Sequence, residues 1–447
     1  METLRASGFE AYFAGGCVRD LLLGREPADF DVTTNATPDV VLDMFERTFA
    51  VGAKFGVVLV APEAAGFVTE VATFRSDGAY SDGRRPDVVR YSQSVEEDVQ
   101  RRDFTINGLL LDPLRCGTFS EVISDRKRLR AAVLDYVGGM DDLDAGVVRT
   151  IGRAELRFEE DHLRMLRAVR FAARFGFELE ATTMNAIRQL AAKVHGVSRE
   201  RVRDELTKML TEGRARRAFE LLDETGLLKE VLPEVVRMKG VEQPPQFHPE
   251  GDVWIHTLML LEQLGSDCSA TLAWGSLLHD VGKPPTFRRA PDRIRFDGHV
   301  EVGSKMAAEI CRRLRFSTEE TQQILALIEN HMRFMDTGRM KESTLKRFLR
   351  LPQFDEHLAL HKMDCLAGSG FLEHWEFIRE KMRTLPQEAV TPRPLITGKE
   401  LIAAGYRPGP RFKEMLREAE DAQLEGKIAT ADEALKLVRE KFGEASN

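Results

Sequence analysis

Asp29-Phe30-Asp31-Val32-Thr33 reads as a short strand with apolar flanks. Residues i and i+2 of a strand share a face, so Asp29 and Asp31 would present two carboxylates side by side. Such neighbours repel unless cations sit between them, and the hard ion Mg2+ prefers oxygen ligands of this kind. Glu70, in Val68-Thr69-Glu70-Val71, could join them from an adjacent strand, although a surface glutamate is the plainer reading. Just upstream, Ala14-Gly15-Gly16-Cys17-Val18-Arg19-Asp20 runs from an expected strand into an expected helix. Two glycines at that junction let the backbone approach a ligand closely, and the first helical amides then point at it, which suits a phosphate. Neither feature is informative alone, because Asp142/Asp144 repeats the spacing and a Gly-Gly pair also makes an ordinary tight turn. Their order carries the weight: glycine turn, helix, acidic strand.

A second set of residues follows at Arg101-Arg102-Asp103-Phe104-Thr105-Ile106-Asn107-Gly108. Guanidinium groups bind phosphate oxygens through paired hydrogen bonds, and Thr105 and Asn107 would share one face of a strand. Farther on, Glu160-Asp161-His162-Leu163-Arg164 starts an expected helix, with Asp161 and Arg164 three residues apart on one face. An isolated pair of this kind is most simply a helical salt bridge. A third group is built on histidine. His248-Pro249-Glu250-Gly251-Asp252 leads to His256, then His279-Asp280 lies in an apolar helix with Gly282-Lys283 behind it, and His299, His331 and Asp364 come later. His162, His357, His361 and His374 read as structural or solvated.

The elements that must position these groups change character along the chain. Short β-rich runs (Ala11–Phe13, Phe30–Thr33, Val57–Val60, Phe67–Phe74, Ile106–Leu111) alternate with helical patterns at Val18–Leu23 and Asp39–Phe49. Arg75–Tyr91, rich in Gly, Asp, Arg and Ser, reads as a long functional loop. Beyond Asp141 strand signals fade, and apolar residues recur at helical spacing, as in Leu163, Leu166, Val169, Phe171 and Val202, Leu206, Leu210. Proline-rich Gln243–Pro249 and Thr391–Pro394 mark boundaries. The 447 residues are 43% hydrophobic and 30% charged, which excludes a largely disordered or collagen-like chain. No apolar run approaches the roughly 18 residues of a membrane span. The N-terminus has no apolar core like that of a secretory signal, and five dispersed cysteines form no Cys-x-x-Cys pair, so a reducing cytoplasm is expected. The net charge of −8 argues against indiscriminate coating of nucleic acid, yet Val147–Arg217 holds 16 Lys+Arg against 10 Asp+Glu. A local basic surface is therefore compatible with an acidic whole.

Gly15–Asp20, Leu22-Leu23-Gly24-Arg25, Asp29–Asp31, Arg101–Asn107, Glu160–Phe171 and Glu200–Leu210 together resemble the class II tRNA nucleotidyltransferases: CCA-adding enzymes, their A-adding and CC-adding relatives, and bacterial poly(A) polymerases. The resemblance covers roughly residues 10–215, with one small departure at Gly108, where alanine is common. It implies an α/β nucleotidyltransferase head with a polymerase-β-like palm, followed by an all-α neck, body and further helical domain. It also implies that Asp29 and Asp31 bind two Mg2+ ions, and that Gly15, Gly16, Arg19, Arg102, Asp103, Asn107, Asp161, Arg164, Arg167 and Arg170 bind the nucleotide. In this family Asp161 and Arg164 would be the base-reading pair. Cytosine and adenine each offer an amino donor beside a ring-nitrogen acceptor, which match a carboxylate and a guanidinium. Guanine and uracil offer the reverse and would leave buried polar groups mismatched, at a cost of several kcal/mol. The implied reaction is attack of an RNA 3′-hydroxyl on the α-phosphate of CTP or ATP, without a template. Asp82-Gly83-Arg84-Arg85-Pro86-Asp87 resembles the loop that full CCA-adding enzymes use in switching from C to A. The basic flank typical of poly(A) polymerases is missing at Gly52-Ala53-Lys54-Phe55-Gly56-Val57. An A-adding specialist, a poly(A) polymerase, or a phosphohydrolase with a nucleotide-recognising head stay open as alternatives.

The order His…His-Asp…Asp on successive helices resembles the HD superfamily of metal-dependent phosphohydrolases. It implies that His256, His279, Asp280 and Asp364 ligate a divalent metal, with His299 and His331 available to a second metal or phosphate and Lys283 to a phosphate. The alternative is a decayed domain kept to hold RNA. The expected organisation is thus a nucleotidyltransferase head (1–137), a helical neck and body that reads nucleotide and binds RNA (138–245), an HD domain (246–390) and a helical tail (391–447). Expected partners are the tRNA 3′ end, CTP and ATP, with no membrane.

Overall fold

The computed structural model describes residues 1–52, 56–61, 68–77, 89–246 and 248–444. Two compact units emerge: Met1–Val236 with the short segments Leu264–Asp267 and Arg313–Arg315, and the remainder from Arg237 onward.

In the first unit the β-rich runs build a seven-stranded sheet: β1 (Ala11–Ala14), β2 (Val32–Thr34), β3 (Thr48–Gly52), β4 (Val57–Val60) and β5 (Thr69–Thr73), joined by the two-residue strands Leu110–Leu111 and Val133–Leu134. The spatial order is β3-β4-β5-β2-β1, then Leu110–Leu111, then Val133–Leu134. Only β2 and β5 run parallel (Val32 opposite Val71); the other pairs are antiparallel. Alternation of apolar residues fills one face with Leu4, Ala11, Val32, Val41, Val58, Val60 and Val71. Ala14, Phe74, Val95, Val99 and Leu110 pack together as a second cluster.

Three local expectations need correction. The helix Pro38–Met44 is shorter than the Asp39–Phe49 pattern, because Thr48 and Phe49 enter β3. Thr105 and Asn107 lie on a 3-10 turn rather than a strand, with Asn107 N donating to Phe104 O at 2.9 Å. That turn is packed tightly against Gly139, where a Cβ would come within 2.2 Å of Thr105 O. Finally, Arg75–Asp77 and Val89–Tyr91 form an antiparallel pair at the ends of the expected long loop. The Asp82–Asp87 motif lies outside the described residues, as does part of Gly52–Val57.

After the sheet come the neck helices Ala154–Glu160, Leu163–Phe175, Ala181–Leu190, Arg199–Thr211 and Ala215–Glu224. Their apolar stripes meet: Leu166, Val169, Val202, Leu206 and Leu210 are fully buried. The one extended pairing here is two residues long, Val147–Val148 beside Glu178–Leu179.

The second unit is helical apart from the small hairpin Arg288–Arg289/Ile294–Arg295. Its helices Val253–Glu262, His299–Arg313 and Phe354–Ala367 carry His256, His299 and Asp364, while His279-Asp280, expected in an apolar helix, and His331 stand just past the ends of Ala270–Leu278 and Thr318–Asn330. Gly398–Ala403, Arg411–Leu424 and Ala431–Phe442 close on a separate small core of Ile396, Leu401, Tyr406, Met415, Ala419, Ala434 and Val438.

Candidate active site and a second histidine cluster

Asp29 and Asp31 stand just before β2, not within it. The ladder extends one residue back to Asp31, through Ala14 N donating to Asp31 O at 3.0 Å, but not to Asp29, which does not line the cavity that Asp31 faces. Phe30 between them joins the rings of Phe13 and Phe119, at 5.5 and 5.8 Å. Asp29 is exposed and Asp31 half-buried. Burial pushes the Asp31 carboxyl up to about 6, helped by the like charges of Asp29 and Glu70 and opposed by Arg102. Glu70, one position before Val71 on β5, is therefore near enough to act on Asp31 electrostatically. Asp31 with the neighbouring carboxylates of Asp29 and Glu70 gives an oxygen donor set that suits a hard divalent cation.

Gly15 sits at φ +75°, a conformation glycine adopts freely, and it precedes the helix Gly16–Leu22. A Cβ on Gly15 would lie 3.0 Å from Arg102 Nη1, so the turn and the arginine are in close apposition. Gly15, Gly16, Arg19, Asp31, Arg102, Asp103, Asn107, Asp161, Arg164, Arg167 and Arg170 all line one cavity of about 470 Å3. The metal-side carboxylate and the expected base-reading pair thus face the same space.

Asp161 departs from the helical placement expected of it. It forms the extended junction (φ −143°, ψ 104°) between the helices Ala154–Glu160 and Leu163–Phe175. No Asp161–Arg164 salt bridge is present among the described residues. Asp161 accepts from Arg201 Nη2 at 2.8 Å and from Leu163 N at 3.0 Å, while Arg164 donates to Glu160 at 2.6 Å. Arg167 grips Asp103 at 2.7 Å, and that carboxyl, though buried, is held well below its usual range by Arg167 and Asn107. Arg170 is held by buried Glu205 at 2.7 Å. Phe171 gives this arginine group a platform, with Arg170, Arg167 and Arg19 lying 4.4, 5.2 and 5.2 Å from its ring centre.

Sequence reasoning missed Asp98, Arg201 and Glu205. Asp98 is fully buried and takes Arg101 at 2.6 Å and Arg102 at 3.1 Å. Its i, i+3 and i, i+4 spacing to the two arginines was the available signal.

In the second unit His256, His279, Asp280 and His331 are buried, with His299 and Asp364 half-buried. Three triads have ligand atoms within 4.8 Å of one another: His256, His279 and Asp364; Asp280, His299 and His331; and His248, Glu250 and His256. Asp280 lies between the first two. Its Oδ2 lies 3.1 Å from His279 Nε2 and 4.0 Å from His256 Nε2, and its Oδ1 lies 3.9 Å from Nε2 of both His299 and His331. Among the described residues the buried Nε2 atoms of His279 and His299 find no hydrogen-bond partner. Inward-facing imidazole nitrogens without acceptors, around two carboxylates, fit a divalent cation centre. Lys283 Nζ stands 2.7 Å from Asp280 Oδ2, and the centre opens on a cavity of about 380 Å3 walled by His248, Arg295, Phe296 and Met332. His357 and His361 are buried away from solvent, His361 stacking on Phe334 at 4.3 Å. Among the described residues no helix is long and apolar enough to cross a membrane.

Comparison with known proteins bears on the fold and the motif order. Residues 11–149 match the poly A polymerase head domain, 176–238 match the family described as "Probable RNA and SrmB- binding site of polymerase A", and 298–438 match tRNA nucleotidyltransferase domain 2. The CCA-adding enzyme of Geobacillus thermodenitrificans is 43% identical over 224 residues, 50% of this chain and 51% of that protein. That of Lactobacillus helveticus is 38% identical over 274 residues, 60% of this chain and 64% of that protein. The matched region thus spans about half to two thirds of the length of these curated relatives. The crystal structure of the Bacillus stearothermophilus CCA-adding enzyme in complex with CTP superposes over 99% of this chain and 95% of its own, with 27% identity and a TM-score of 0.72. In head sheet, neck helices and motif order the chain is thus similar to the CCA-adding enzymes of the class II tRNA nucleotidyltransferase family.

Proposed function

We propose that this protein adds C and A nucleotides from CTP and ATP to the 3′ end of tRNA. One observation carries the reading: Asp31 and the pair Asp161/Arg164 line a single cavity, so one bound nucleoside triphosphate can reach both. Asp29 and Asp31, with Glu70 beside them, would hold two Mg2+ ions. When bound, these ions lower the cost of forming the attacking 3′-oxyanion and of charging the pyrophosphate leaving group. The amides after Gly15, together with Arg19 and Arg102, hold the phosphates. Asp161 accepts the exocyclic amine of C or A, and Arg164 donates to the adjacent ring nitrogen. Phe171, already flanked by arginines, gives the base or sugar an apolar seat. The domain reading follows: head 1–137, neck and body 138–245, a metal-dependent helical domain 246–390 and a tail 391–447.

The test uses tRNA ending at the discriminator base, and its form ending in CC, with labelled CTP and ATP and Mg2+. Extension of both to CCA is the expected result. Extension of the CC form alone would replace the reading by A addition, and long A tracts would replace it by poly(A) synthesis.

A second reading concerns the other unit. We propose that His256, His279, Asp280 and Asp364 form an HD-type metal centre with phosphohydrolase activity, with His299 and His331 completing a second position beside Asp280. Its support is the two triads that meet at Asp280, open to a cavity with Lys283 at its edge. Hydrolysis of nucleoside 2′,3′-cyclic phosphates and 2′-nucleotides by an Asp29→Ala protein, abolished by His279→Ala, is expected. Full activity in the His279→Ala protein would reject it.

A further inference from the structure

The four histidines around Asp280 turn Nε2 toward the cluster because each Nδ1 is already engaged. For His279, His299 and His331 the acceptor is the main-chain carbonyl three residues earlier, of Ser276, Phe296 and Ile328, at 2.9, 3.0 and 2.7 Å. These anchors come with the local backbone. His256 differs. Its Nδ1 lies 2.7 Å from Oε1 of Glu250, a buried side chain from the turn before its helix.

That turn is itself well fixed. Gly251 takes φ +76°, Gln243 N donates to Gly251 O at 3.0 Å, and Asp252 caps the helix by accepting from Ile255 N. Oε1 of Glu250 also receives His248 Nδ1 at 2.9 Å and Gln243 Nε2 at 3.4 Å, whereas Oε2 is buried with no partner among the described residues. A buried carboxylate gathered onto one oxygen is costly unless it does something specific.

We infer that Glu250 is the positioning residue of His256, fixing its imidazole so that Nδ1 carries a proton toward Glu250 and Nε2 faces Asp364. This rests on the reading of the cluster as a metal centre. His256 Nε2 is 3.0 Å from Asp364 Oδ1. Without Glu250, the neutral ring can place its one proton on Nε2 and bond Asp364 directly. That tautomer has no lone pair left for a cation at the first triad. A charged acceptor behind the ring also makes Nε2 a stronger donor than a carbonyl would, and partners of this kind typically account for about 10- to 100-fold in metal affinity.

The test is Co2+ titration of the full chain, followed by visible absorption with the His279→Ala protein as blank. Glu250→Ala should weaken Co2+ binding by about 10- to 100-fold, and the isosteric Glu250→Gln, whose amide oxygen still accepts, by less. Should Glu250→Ala fail to fold, Glu250→Gln carries the comparison. Wild-type affinity in the folded variants overturns the inference alone. A wild-type chain whose Co2+ spectrum equals that of His279→Ala overturns the metal reading and the inference with it.

Discussion

Arg201 Nη2 lies 2.8 Å from Asp161 Oδ2, so the carboxylate that would read a base is held by a cation from a helix forty residues farther along the chain. The other carboxylate oxygen is tied to Leu163 N, and Asp161 itself stands at a break between helices rather than in one. A residue at a break has no helical neighbour to restrain it, and Arg201 supplies the restraint. Arg201→Ala should therefore leave triphosphate affinity nearly unchanged but lower the preference for CTP over UTP by about tenfold, the worth of one charge-assisted hydrogen bond. The ratio of kcat/KM for the two nucleotides measures this, and an unchanged ratio would remove Arg201 from base selection.

The same residue shows how far the sequence could be read. Asp31, Gly15 and Arg102 were legible because each is a chemical type set in a local pattern, and they line one cavity, which Asp29 does not. Arg201, Glu205 and Glu250 were not singled out for a role, since each acts through a partner fixed by tertiary packing or by a turn, whereas Asp98 was overlooked despite its local spacing to Arg101 and Arg102. Glu250 is six residues from His256, a separation that no helix or strand period brings together. Thr105 and Asn107 were misassigned to a strand because their β-prone neighbours Phe104 and Ile106 are fully buried for packing, while the backbone turns to fit Gly139.

Asp31 predicts a pH dependence. Its carboxyl is raised from 3.8 to about 6 by burial and by Asp29 and Glu70. The metal-free fold therefore holds a proton that the unfolded chain has already released. This favours the folded state fully below pH 3.8, and the benefit is lost as pH rises through about 6. A cation that replaces the proton restores it. Mg2+ should raise the melting temperature of the first unit at pH 7.5 and do little at pH 5. Asp31→Asn should melt higher than wild type at pH 7.5 without Mg2+ and show a reduced response to it. A Mg2+ effect that is equal at both pH values would contradict this account.

His357 gives a second, opposite case. It is 1% exposed in the helix Phe354–Ala367, neither ring nitrogen finds a partner among the described residues, and burial lowers its pKa from 6.5 to about 4. Between those values the unfolded chain takes up a proton that the fold refuses, so stability is intact above pH 6.5 and is lost as pH falls toward 4. The full loss is of the order of 3 kcal/mol. His357→Leu gives up no hydrogen bond and should flatten this part of the acid limb. Urea denaturation of the second unit at pH 7 and pH 4.5 tests it, and parallel slopes for both proteins would show that His357 stays neutral in neither state or both.

Gly282 couples packing to the histidine cluster. A Cβ at this position would lie 2.1 Å from His299 O and 2.5 Å from Gly303 N, so the segment bearing His279 and Asp280 meets the helix bearing His299 backbone to backbone. Neither atom belongs to a flexible side chain that could give way. Gly282→Ala must push that helix outward, at a cost of about 1–3 kcal/mol. The movement separates His299 from Asp280, which are already 3.9 Å apart, and leaves His256 and Asp364 on the separate helices Val253–Glu262 and Phe354–Ala367. Co2+ titration should then lose the position beside His299 and His331 before the one beside His256. Gly338→Ala, where an added Cβ meets nothing within 4 Å, should change neither stability nor titration. Equal weakening of both positions in Gly282→Ala would mean that the two triads cannot be separated through the backbone that joins them.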